Sequence, residues 1–136
     1  MATQQQHITG IILAGGQSSR MGQNKALMSL GDQRLVDRVV SVLGQVFADL
    51  LLVTNAPDLY ADLGVPMVGD VWPDKGSLGG IYSALYHMTT PYGLVVACDM
   101  PFLQADSLRY LSALCPDHDV VIPDVLGELQ TLHAIY

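Results

Sequence analysis

The chain has 136 residues, half of them hydrophobic, which suits one domain with a core of its own. Thirteen acidic against six basic residues give a net charge of −7, which argues against binding along a nucleic acid backbone. No stretch approaches the roughly 18 uninterrupted apolar residues of a membrane-spanning helix. The polar residues 1–7 also lack the charged start and apolar middle of a secretory leader, so a cytoplasmic protein with no membrane partner is expected.

Residues 9–14 form a short apolar run that predicts a buried strand. The run stops at Gly15-Gly16, where glycine lets the backbone turn and lets a ligand come close. Small polar residues, Arg20, Gly22 and Lys25 follow, and successive backbone N–H groups in such a loop can form an anion nest. Arg20 and Lys25 are two of only six basic residues. Positive charge concentrated locally in an acidic chain points to a ligand, and a polyphosphate fits best. Two familiar phosphate loops are excluded. Gly22 is followed by Gln23-Asn24 and not by Lys-Ser/Thr, and Gly15-Gly16 does not supply G-x-G-x-x-G.

Next comes a Gly31-Asp32 turn, with Asp32 as the expected N-cap of a helix. Leu35, Val36, Val39, Val40, Leu43 and Val46 recur at helical spacing. Residues 50–54 read as a second strand, broken at Asn55-Ala56-Pro57, and a short helix is expected over 59–63. A third strand, 65–68, ends at Gly69-Asp70. After a turn-rich loop, Leu78, Ile81, Tyr82, Leu85 and Met88 mark another helix face. Tyr92–Ala97 is the most apolar strand and runs into Cys98-Asp99. A helix over Ala105–Leu114, a strand over 119–122, a loop over 123–130 and a last strand over 131–136 complete the reading.

Strands alternating with helices predict an α/β fold of three layers, a mostly parallel sheet with helices on both faces. Ligands of such sheets bind beyond the carboxyl ends of the strands. Gly15, Asn55, Asp70 and Asp99 each follow a predicted strand, so all four belong on one rim. Asp99 offers the hard oxygen that magnesium prefers, although aspartate in that place can also cap a following helix. Cys98 and Cys115 have no metal-ligand spacing and sit in apolar surroundings, which suits small core residues. The four histidines are scattered and suggest no zinc site.

Residues 13–25 resemble the nucleotidyltransferase signature L-A-G-G-x-S-x-R-M-G-x-x-K, most closely that of the molybdenum cofactor guanylyltransferases. Cys98-Asp99-Met100-Pro101-Phe102 is similar to a motif of the same enzymes and of the molybdopterin cytidylyltransferases. Gly76-Ser77-Leu78-Gly79-Gly80-Ile81 resembles G-P-L-x-G-I with Ser77 in place of proline. Leu132-His133-Ala134-Ile135-Tyr136 resembles P-L-H-A-L-Y with Thr131 in place of proline. The resemblance implies a Rossmann-like nucleotidyltransferase fold that moves GMP from GTP to the terminal phosphate of molybdopterin or its molybdenum-bound form. It implies catalytic roles for Arg20, Lys25 and Asp99, with Mg²⁺ on Asp99. It also implies nucleotide contacts from Leu13, Ala14, Gly15, Gly16, Lys25, Asn55, Asp70, Gly79, Gly80 and Asp99. Molybdoenzyme-maturation proteins are the further partners it implies. Family members continue beyond the last strand, so residues 1–136 are expected to be a nucleotidyltransferase domain lacking its C-terminal part. Two alternatives stand beside this reading. One is a cytidylyltransferase using CTP, whose loop usually reads L-A-A-G. The other is a catalytically silent nucleotide-binding or partner-docking module.

Overall fold

The computed structural model describes residues 5–14, 29–31, 33–69, 76–100 and 102–136. In chain order the elements are β1 (Gln5–Leu13), β2 (Ser29–Leu30), β3 (Gln33–Arg34), α1 (Leu35–Val46), β4 (Phe47–Val53), β5 (Met67–Val68) and α2 (Gly76–His87). There follow β6 (Tyr92–Ala97), α3 (Ala105–Leu114), β7 (Asp124–Val125), β8 (Glu128–Leu129) and β9 (His133–Ile135).

Five of the strands form one sheet in the order β5-β4-β1-β6-β9. β1 is its centre, parallel to β4 from Gly10↔Leu50 to Leu13↔Val53 and parallel to β6 from Ile8↔Tyr92 to Leu13↔Ala97. β5 extends the parallel set, with Leu52 opposite Met67. β9 closes the other edge and runs antiparallel, with Val96 opposite His133.

Side chains alternate across a strand, so β1 feeds two cores. Ile8 and Ile12 meet Val36, Val39 and Leu43 of α1 and Leu108 and Leu111 of α3 on one face. Ile11 and Leu13 meet Ala84, Ile81 and Leu85 of α2 on the other. A strand buried on both faces must be apolar at nearly every position, and residues 8, 11, 12 and 13 of β1 are. Two glycines let the layers close. A methyl group on Gly10 would meet Leu50 and Phe47 side chains at 2.9 and 3.0 Å, and one on Gly93 would run into Ile11 and Met88. No described helix is long and apolar enough to cross a membrane.

The three-layer, mostly parallel architecture agrees with the sequence pattern, and several local expectations are corrected. Helix α1 starts at Leu35, so its N-cap is Arg34 and not Asp32, which lies outside the described residues. Asp37 accepts a hydrogen bond from the Arg34 backbone N–H at 3.3 Å and holds the guanidinium at 2.8 and 2.9 Å, so an ion pair takes the place of a hydroxyl cap. The helix expected over 59–63 is a pair of 3₁₀ turns, Pro57–Leu59 and Ala61–Leu63. The strand expected over 119–122 reduces to a single bridge between Val121 and Ile135. The loop expected over 123–130 contains the β7–β8 hairpin, turned by Leu126 (φ 54°) and Gly127 (φ 91°).

Candidate active site

In a parallel sheet a crevice forms where the connections leave in opposite directions. The chain passes from β1 to β4 and β5 on one side, then crosses through α2 to β6 on the other. The switch point therefore lies between the carboxyl ends of β1 and β6. Backbone hydrogen bonds bind this rim together. The Ala14 N–H donates to the Val53 carbonyl at 2.9 Å, the Cys98 N–H to the Leu13 carbonyl at 3.2 Å, and the Thr54 N–H to the Val68 carbonyl at 2.9 Å.

Leu13 is buried at the end of β1, and its Cδ2 lies 3.1 Å from the place a methyl group on Gly80 would occupy. That fit draws the first turn of α2 onto the end of β1, with Gly79 and Gly80 both buried. The Gly79 carbonyl accepts the Ser83 hydroxyl at 2.8 Å. Ala14 is half-buried, and Tyr60, itself buried, brings its hydroxyl to 3.5 Å from the Ala14 carbonyl. Asn55 is exposed just past β4, and its Oδ1 lies 3.6 Å from the place a methyl group on Gly69 would occupy. Thr54 Oγ1 accepts the Ala56 N–H at 3.0 Å, which fixes the turn carrying Asn55. Asp99 is half-buried in the turn after β6.

Leu13, Ala14, Asn55 and Asp99 lie at the carboxyl-end rim of the sheet, with Gly79 and Gly80 on the first turn of α2 beside it, and the rim position read from the sequence for Asn55 and Asp99 is the one they take. Gly15, Gly16, Arg20, Lys25 and Asp70 lie outside the described residues. Sequence reasoning missed Tyr60. A tyrosine within a short turn carries no periodic signal, and its approach to Ala14 spans 46 residues.

Next to Asp99, burial and the neighbouring carboxylate push the Cys98 thiol up to about 12. At neutral pH the sulfur therefore stays protonated, which makes it a poor nucleophile. Cys115 is fully buried. Asp99 suits magnesium by its chemistry. Among the described residues no group of three or more metal-binding side chains occurs. A single carboxylate suits a cation that completes its shell with phosphate oxygens and water.

Residues 10–136 match the MobA-like NTP transferase domain. A probable molybdenum cofactor guanylyltransferase of Clostridium perfringens is 40% identical over 126 residues, which is 92% of this chain and 63% of that protein. A protein of the same description from Carboxydothermus hydrogenoformans is 41% identical over 131 residues, 96% of this chain and 66% of that one. The crystal structure of molybdopterin-guanine dinucleotide biosynthesis protein A from Archaeoglobus fulgidus superposes with a TM-score of 0.77 at 25% identity, covering 94% of this chain and 66% of that one. The chain thus spans just under two thirds of the length of these relatives. With the match running from the middle of β1 through β9, the chain belongs to the MobA-like NTP transferase domain family.

Proposed function

We propose that this chain is the nucleotide-binding part of a molybdenum cofactor guanylyltransferase, which joins GMP from GTP to the terminal phosphate of molybdopterin and releases pyrophosphate. One observation carries the reading. The end of β1, which leads into the Gly15–Lys25 signature, faces the Asp99 turn across the switch point, with Gly80 packed onto Leu13. The descriptions of the C. perfringens and C. hydrogenoformans relatives support it.

The reaction is an in-line displacement. A phosphate oxygen of the acceptor forms a bond to the α-phosphorus as the bond to the β-phosphate oxygen breaks. The acceptor oxygen is already ionised, so no general base is needed, and the work is positioning and charge neutralisation. N–H groups of the Gly15-Gly16 loop hold phosphate oxygens. Arg20 and Lys25 offset charge on the triphosphate and on the departing pyrophosphate. Asn55 and Asp70 contact the nucleoside, and Gly79-Gly80 keeps the first turn of α2 close enough for the base to lie against its backbone. When bound, Mg²⁺ on Asp99 supplies positive charge at the phosphates.

The test is turnover by the full gene product given molybdopterin and either GTP or CTP, read as dinucleotide formed and pyrophosphate released. Product with GTP alone is expected. Product with CTP alone would make it a cytidylyltransferase, and nucleotide binding with no product from either would make it a silent module.

A further inference from the structure

Just past Asp99 the chain turns again before α3. The Leu103 N–H donates to the Met100 carbonyl at 3.4 Å and closes this turn. Met100 and Leu103 pack in part against the core beneath α1 and α3, so both ends of the turn are tied to that face of the sheet. Phe102 stands between them and is 85% exposed. The other exposed phenyl-type rings among the described residues are Tyr82, Tyr86 and Tyr110. Each of those carries a hydroxyl that water solvates. Phe102 alone among the described residues turns such a ring to water with no polar tip, and no described ring stacks on it.

A lone exposed apolar residue is ordinary, and it is the place of this one that gives it a use. Three residues of chain span at most ~11 Å, so Phe102 stays on the same rim as Asp99. It also lies on the other face of the sheet from α2. Leu13, against which Gly80 packs, belongs to the core under α2, whereas Met100 and Leu103 belong to the core under α1 and α3. In the proposed reaction the guanine lies on the α2 side. A flat ring beside Phe102 then belongs to the other substrate, and molybdopterin has one in its pterin.

We propose that Phe102 stacks on the pterin ring of the acceptor and so determines how tightly the acceptor, and not the nucleotide, is held. The inference rests on the guanylyltransferase reading and adds a residue to its acceptor side. Offset stacking needs no hydrogen bond from the protein. It holds the ring while the acceptor phosphate stays free to turn toward the α-phosphorus. The two buried anchors, Met100 and Leu103, keep the ring in place without covering it.

Steady-state kinetics of the full gene product, with molybdopterin and GTP varied in turn, read the contact. Phe102→Leu keeps apolar bulk and loses the flat ring. It should raise KM for molybdopterin about 10-fold, the scale of a lost stacking contact, and leave KM for GTP unchanged. Phe102→Trp should restore the original KM. Because the side chain is so exposed, neither variant should lower the melting temperature. An unchanged molybdopterin KM in Phe102→Leu overturns the proposal. So does a rise in KM for GTP alone, which would give the ring to guanine, and so does an equal loss in Phe102→Trp, which would make the position one of shape. A binding measurement separates this contact from the reading beneath it. The ring ¹³C resonance of Phe102, identified by its absence from Phe102→Leu, should shift saturably on titration with the phosphate ester of 6-hydroxymethylpterin. No shift overturns the proposal even where GMP transfer proceeds. A shift in a protein that forms no dinucleotide overturns guanylyl transfer and leaves the Phe102 contact standing.

Discussion

Asp99 sits in a turn that belongs to no helix. Helix α3 begins at Ala105 with Gln104 as its N-cap, so the carboxylate has no capping duty there. Replacing it with asparagine should leave the melting temperature unchanged and lower magnesium-dependent turnover on the order of 10²–10³-fold, the scale of losing one charge-stabilising group. Near-normal turnover in Asp99→Asn would remove Asp99 from the chemistry. Its neighbour Cys98 has the opposite character. With its thiol held up to about 12, it should resist iodoacetamide at pH 8 in the native protein and react at once in guanidinium chloride. Rapid native alkylation would mean that the rim is open to solvent. The places of Asp99 and Asn55 were legible in the sequence because each is a polar residue at the end of an apolar run. The Tyr60 contact was not, since only the fold brings it to Ala14.

At the level of elements, the helices approach the sheet as far as two glycines allow. Gly93 lies opposite Thr9 of β1, and a methyl group there would collide with Ile11 and with Met88 Sδ. Gly93→Ala should therefore destabilise the protein by about 1–3 kcal/mol, the usual cost of overfilling a packed core, measured by urea denaturation. An unchanged midpoint would show that Ile11 and Met88 can give way. Helices α1 and α3 and strand β6 were legible because their apolar residues repeat over ten or more positions or form an unbroken run. The β7–β8 hairpin was not. Val125, Leu126 and Leu129 are all exposed, which defeats alternation, and Leu126 takes a left-handed turn position that usually marks itself with glycine or asparagine. The antiparallel direction of β9 was hidden for another reason. Composition reports burial, and it does not report which way a strand runs.

For the molecule as a whole, acid should erode stability in two stages. Burial lowers the pKa of His133, and hydrogen bonding with the charge of Arg34 lowers that of Asp37. Both groups hold protons less readily in the folded chain than in the unfolded one, so each favours folding at higher pH. The His133 contribution is complete above the usual histidine value of 6.5 and disappears as pH falls through the lowered one. The Asp37 contribution is complete above the usual 3.8 and disappears below it. Melting temperature against pH should show a first decline that His133→Gln removes and a lower one that Asp37→Asn reduces. A flat curve from pH 7 to pH 5 in the unaltered protein would contradict the histidine part.

The central position of β1 in the sheet has a consequence for how the molecule is made. The strand leaves the ribosome before either of its neighbours, and the Thr9–Thr90 hydrogen bond beside β6 joins residues 81 apart. At ~5–20 residues per second, the run through Ile11 and Ile12 waits about 4–16 s for that partner. During that wait a short β-prone apolar segment has no sheet to enter. Ribosome-bound chains arrested before Tyr92 should be captured by a hydrophobic-segment chaperone through β1, and chains extended past Tyr136 by an exit-tunnel linker should be released. Equal capture at both lengths would mean that the first strand finds cover before its second neighbour arrives.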